Sequence, residues 1–168
     1  MTKKTQSTAL GSDAPVQPAH SAPNATLERL AAFIGEWDLE ISSMSFRDDP
    51  AAVERGHASF DWLEGGAFLI QRSEISAPDF PRSKAIIAPD DQAETYGMLY
   101  FDSRGVSRIY KMTFSGGIWT LWRDFPDFSQ RFLGTFSDDG KVITARWEKS
   151  TDGSRWEHDF ALKYTKVR

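Results

Sequence analysis

Leu30-Ala31-Ala32-Phe33-Ile34-Gly35-Glu36-Trp37-Asp38-Leu39-Glu40-Ile41 is the stretch on which the reading of the fold turns. An amphipathic segment runs into a glycine, and the period of the chain then changes. Upstream, Leu27, Leu30, Ala31 and Ile34 fall at i, i+3, i+4 and i+7, which predicts a helix over residues 26–34 with one apolar stripe. Asn24 or Thr26 can cap its start by accepting a backbone N–H bond. Gly35 stands where a left-handed C′ residue is expected. A helix this short is marginal alone, so it must pack on something. Downstream, Trp37, Leu39 and Ile41 alternate with Asp38 and Glu40, the period of a half-buried strand.

Alternation then dominates to the end of the chain. Further strands are expected over residues 56–63, 68–75, 83–89, 96–101, 106–114, 119–124, 130–136, 142–149 and 156–165. The connections Glu64-Gly65-Gly66, Asp102-Ser103-Arg104-Gly105, Ser115-Gly116-Gly117, Ser137-Asp138-Asp139-Gly140 and Thr151-Asp152-Gly153 offer glycine for φ > 0 turns. The expectation is an all-β chain: an antiparallel up-and-down barrel of about ten strands, with one short N-terminal helix capping an end. Closure would remove both exposed sheet edges. No strand–helix alternation is present, so a doubly wound α/β fold is excluded.

Residues 1–23 are rich in Ser, Thr, Ala, Pro and Gln and read as a flexible tail; residues 24–168 read as one barrel domain. With 168 residues the chain can bury a substantial core or cavity. Its net charge of −4 argues against a nucleic-acid partner. The absence of Cys excludes disulfides and thiolate chemistry. No run approaches the ~18 apolar residues of a membrane span. Lys3 and Lys4 are not followed by an apolar signal core, so the expected address is cytoplasmic. Six Trp, twelve Phe and four Tyr suit a core or a pocket for flat apolar ligands. An exposed aromatic cluster or an open barrel edge would support a homodimer.

The Gly35-Glu36-Trp37 start, the helix before it and the ten-strand meander resemble the calycin superfamily of lipocalins, fatty-acid-binding proteins and nitrobindin-type haem barrels. The stretches 131–140, 147–153 and Trp156-Glu157-His158-Asp159-Phe160 resemble a group of uncharacterised bacterial lipocalin-like proteins. The resemblance implies a barrel and no particular reaction. It also implies a structural role for Trp37, packed across the closed end, with Gly35 beside it.

Trp156, His158, Phe160, Leu162 and Tyr164 alternate onto one face of the last strand, opposite Glu157, Asp159, Lys163 and Thr165. The apolar face is expected to point inward. His158 would then be an imidazole inside the barrel, either hydrogen-bonded in the core or, by resemblance to nitrobindin-type barrels, an axial ligand to haem. Arg108 and Tyr110 share a face and resemble the carboxylate clamp of fatty-acid-binding proteins. A guanidinium and a phenol in an apolar cavity would together hold an anionic head group. Alternation makes them neighbours without saying which face is inner. Arg72 shares a face with Phe68 and Ile70 and is a weaker candidate of the same kind. His57 and Asp61 lie ~13 Å apart along one strand and form no relay.

The leading functional reading is a non-catalytic barrel that carries or senses a small hydrophobic or aromatic molecule, with Arg108, Tyr110, Trp156, His158, Phe160, Tyr164 and Arg72 as ligand-binding residues. One alternative is an enzyme performing acid–base or cyclisation chemistry in the cavity, with His158 and Tyr110 handling protons. The other is a haem barrel on His158.

Overall fold

A computed structural model describes residues 25–90 and 94–167. The tail expected over residues 1–23 and the Asn24 cap lie outside the described residues. The chain forms a short helix and ten strands: β1 (Gly35–Ser42), β2 (Val53–Leu63), β3 (Phe68–Ile75), β4 (Ser83–Pro89), β5 (Thr95–Asp102), β6 (Ser107–Ser115), β7 (Ile118–Arg123), β8 (Ser129–Phe136), β9 (Val142–Ser150) and β10 (Glu157–Lys166). Each strand pairs antiparallel with the next, and β10 returns to β1, with Leu39 opposite Tyr164 and Ile41 opposite Leu162. The sheet is therefore a closed up-and-down barrel with one helical segment at its head, as the alternation predicts.

Turn chemistry sets the hairpins. Gly116 and Gly117 have φ of 58° and 75°, the paired left-handed conformations of a tight two-residue turn whose twist matches the flanking strands. Gly35, at φ 128°, lets the chain swing from the helical segment into β1.

The helical segment differs from the expectation in an instructive way. Only Ala25–Glu28 (α1) is α-helical, and Arg29–Phe33 winds as a 3₁₀ helix. With three residues per turn, positions three apart eclipse each other. The buried stripe is consequently Leu27, Leu30 and Phe33, while Ala31 is exposed and Ile34 is half-buried. Phe33 enters the barrel end, its ring centroid 4.7 Å from Phe114, 4.9 Å from Trp119, 5.0 Å from Phe136 and 5.3 Å from Phe60. Two hydrogen bonds fasten the plug: the Trp37 indole Nε1–H donates to the Phe33 carbonyl (2.8 Å), and the Tyr96 hydroxyl to the Thr26 carbonyl (2.6 Å).

The barrel thus has one end packed with aromatic rings and one end bordered by the β1–β2, β3–β4, β5–β6, β7–β8 and β9–β10 loops. The outer wall carries Leu99 opposite Ile109 on β5 and β6, both exposed. No helix among the described residues is long and apolar enough to cross a membrane.

Candidate functional site

Above the aromatic plug the barrel is hollow. A cavity of about 470 Å³ opens toward the loop end, within the size range of small-molecule sites. Its wall is largely apolar, with Leu39 and Ile41 of β1, Met98 of β5, Leu121 of β7, Phe132 of β8 and Trp147 of β9. Phe46, Phe80 and Phe128 come from the loops at the mouth. The inward position of every second residue along these strands builds that wall.

Polar groups enter it at two levels. Nearer the mouth, Arg108 Nη1–H (2.8 Å) and the Tyr110 hydroxyl (2.7 Å) both donate to the Gln130 Oε1. The Arg108 guanidinium also lies 5.0 Å over the Phe128 ring. The other charged residues of the lining have partners. Arg104 pairs with Asp102, Asp79 with Arg47, and Asp159 with Lys149. Arg108 forms no ion pair among the described residues, so the cavity presents one cation whose charge is not neutralised by a carboxylate. Burial pushes up the Tyr110 phenol, with Arg108 opposing part of the shift, and burial likewise raises Tyr164. Both phenols therefore stay protonated near neutral pH, and Tyr110 acts as a hydrogen-bond donor.

Deeper in, Gln71 of β3, Trp119 of β7 and Tyr164 of β10 meet above the plug. Trp119 and Tyr164 have ring centroids 6.3 Å apart. The Gln71 side chain interacts with the Tyr164 hydroxyl, and its Nε2–H donates to the Ser73 hydroxyl at 3.2 Å. The Gln71 Oε1 and the Trp119 Nε1 are buried and have no hydrogen-bond partner among the described residues.

Four of the residues singled out in the sequence line this cavity: Arg108, Tyr110, Phe160 and Tyr164. Three do not. Strict alternation along the last strand fails because a bulge shifts the β9–β10 register between His158 and Phe160. Asp159 consequently turns inward and is buried, accepting from the Ser45 hydroxyl (3.1 Å) and from Lys149 Nζ (3.2 Å). His158 is exposed instead, with Nε2 2.8 Å from the Ser43 carbonyl. Trp156 precedes β10 and lies on the outer surface under the Arg131 guanidinium, 4.4 Å away. Arg72 also points outward and pairs with Asp61 at 3.0 Å. On β3 the inward residues are Leu69, Gln71 and Ser73, the opposite parity to the one assumed for Arg72. The run Phe68-Leu69-Ile70 is apolar at three successive positions and hides that parity. The hairpin register carries the missing signal, since Gln71 lies opposite the buried Phe60.

These placements bear on chemistry. His158 and Tyr110 are not brought together, so that pair cannot share a proton. The haem reading does not fit the donor set. His57 bonds Glu36 on the outer surface, His158 is outside as well, and no histidine among the described residues lines the cavity. No group of three or more metal-ligating side chains occurs among the described residues. Trp37 is fully buried at the plugged end.

A family profile described as "Protein of unknown function (DUF1579)" matches residues 22–157, and the chain belongs to that family. No curated protein matches significantly. Among solved structures, one titled "Crystal Structure of Rv2717c from M. tuberculosis" superposes with a TM-score of 0.63. That match has 12% identity and covers 88% of this chain and 100% of the other. At that identity the likeness concerns the fold alone and says nothing about ligand or reaction.

Proposed function

We propose that this DUF1579 member is a calycin-type binding protein, a carrier or sensor that holds a small hydrophobic or aromatic molecule inside the barrel. Its ligand carries an anionic head group anchored by Arg108 and Tyr110. The observation that carries this reading is the unpaired guanidinium of Arg108 in an otherwise apolar cavity, oriented by Gln130 beside a phenol that stays protonated. A cation taken partly out of water without a counter-charge is unfavourable, and a carboxylate offered by a ligand would restore the balance. Charge-assisted bonds of this kind are each worth about 1.5–3 kcal/mol.

Native mass spectrometry of freshly purified protein is expected to show a retained small molecule. Calorimetric titration with dodecanoate and 2-naphthoate is expected to show binding, with their methyl esters at least about ten-fold weaker. Arg108→Met should remove that preference while the protein remains folded. A folded wild-type protein that retains no molecule and binds none of these probes would overturn the proposal.

A further inference from the structure

The upper level of the cavity accounts for an anionic head, and the lower level poses a separate question. Buried polar groups are almost always hydrogen-bonded, because leaving one unpaired costs about 1–3 kcal/mol. This barrel obeys the rule elsewhere. The indole of Trp37, equally buried, donates to the Phe33 carbonyl. Gln130, Ser129, Ser150 and Asp159 are all partnered. Among the buried side chains of the described residues, the two exceptions are the Gln71 Oε1 and the Trp119 Nε1. Both residues belong to the cavity lining, and both adjoin Tyr164, one at its hydroxyl and one at its ring. Gln71 is 8% exposed and Trp119 is 1% exposed. Since the Gln71 amide nitrogen is turned toward Ser73, its oxygen is the free end. One orphan is thus an obligatory donor and the other an acceptor, carried by two residues that line the same pocket.

We infer that the floor of the cavity is a second recognition subsite, in which Trp119 and Gln71 together read an inner ligand end that both accepts and donates a hydrogen bond, a hydroxyl in particular. This rests on the cavity being a ligand site, and it extends the ligand class to an amphiphile with a carboxylate at the mouth and a hydroxyl at the opposite end. The asymmetry of hydrogen-bond energetics makes the inference discriminating. A purely apolar pocket penalises an added hydroxyl, whereas a floor with an unmet donor and acceptor favours it over the hydrogen analogue.

The test is a matched titration of wild type with dodecanoate against 12-hydroxydodecanoate, and with 2-naphthoate against 6-hydroxy-2-naphthoate. The expected result is that at least one hydroxylated probe binds about ten-fold tighter than its partner. Gln71→Met and Trp119→Phe should each erase that preference while retaining affinity for the unhydroxylated probe. Because Trp119 also packs the plug, the near-isosteric Gln71→Met, which removes no ring, keeps the test valid should Trp119→Phe fail to fold. Wild-type protein that binds dodecanoate and 2-naphthoate at least as tightly as their hydroxylated partners would overturn the floor subsite and leave the carrier reading standing. A preference that survives in Gln71→Met and Trp119→Phe alike would also overturn it. Binding of none of the four probes would overturn both.

Discussion

Replacing Trp37 by Ala should be among the most destabilising single changes in this barrel. The indole is fully buried, meets Phe136 edge-on at 6.1 Å, lies beneath the Lys166 ammonium at 5.0 Å and donates to the Phe33 carbonyl at 2.8 Å. A buried aromatic of this size removes roughly 150–250 Å² from water, about 4–6 kcal/mol at ~25 cal/mol per Å². Alanine recovers part of that, and the lost hydrogen bond adds about 1 kcal/mol. The net expectation is about 4 kcal/mol, in line with the ~3–5 kcal/mol of buried Trp or Phe truncations. With a urea m-value near ~2 kcal/mol/M, the unfolding midpoint should fall by about 2 M at unchanged slope. Trp37→Phe keeps most of the ring and should lose only about 1–2 kcal/mol. A loss below about 1 kcal/mol for the alanine variant would mean that this indole does not hold the plug to β1, and the account of the closed end would be wrong.

Three further outcomes are expected. Gly56→Ala should destabilise by about 3 kcal/mol in the same assay, since an added Cβ would lie 2.0 Å from the Glu74 carbonyl oxygen and 2.7 Å from the Ile75 Cα, neither of which can move without opening the β2–β3 ladder; Gly97→Ala, with nothing within 4 Å, should stay within about 0.5 kcal/mol. Hydrogen bonding from the Arg104 side chain, aided by Tyr100, holds Asp102 at about 2 against an ordinary 3.8, so its contribution is present above pH 3.8 and lost as pH falls through about 2; thermal melts across that window should be flatter for Asp102→Asn than for wild type. His158→Ala should leave the affinity for carboxylate probes unchanged in calorimetry, because the imidazole lies outside the cavity; a loss of binding there would contradict the outward placement.

Most of the architecture was legible because two local signals agreed. Alternation marked the strands, and glycine-bearing turns marked five of the nine reversals between consecutive strands; residues 83–89 emerge as a strand with the bounds expected of it. The helical segment was found but its winding was not. Leu27, Leu30, Ala31 and Ile34 suit an α period, and only packing of Phe33 among four rings selects the 3₁₀ alternative. Half of the site was legible on the same terms, since Arg108, Tyr110 and Tyr164 obey alternation. The bulge before Phe160 has no local signature, because what draws Asp159 inward is Lys149 on the neighbouring strand and Ser45, 114 residues away in sequence. Gln71 and Gln130 escaped for a different reason. A glutamine carries no charge and breaks no pattern, and its value here lies in what stands opposite it.

The β1–β10 ladder has a consequence for how the chain is made. Every other ladder joins strands adjacent in sequence and can form as the polypeptide emerges, whereas this seam joins the first strand to the last. Until β10 has left the ribosome, β1 and β9 both present unpaired backbone edges, and the cavity has a missing wall. Nascent chains stalled before β10 should therefore be vulnerable to proteases and to edge-to-edge association, and protection should arrive in a single late step when β10 is released.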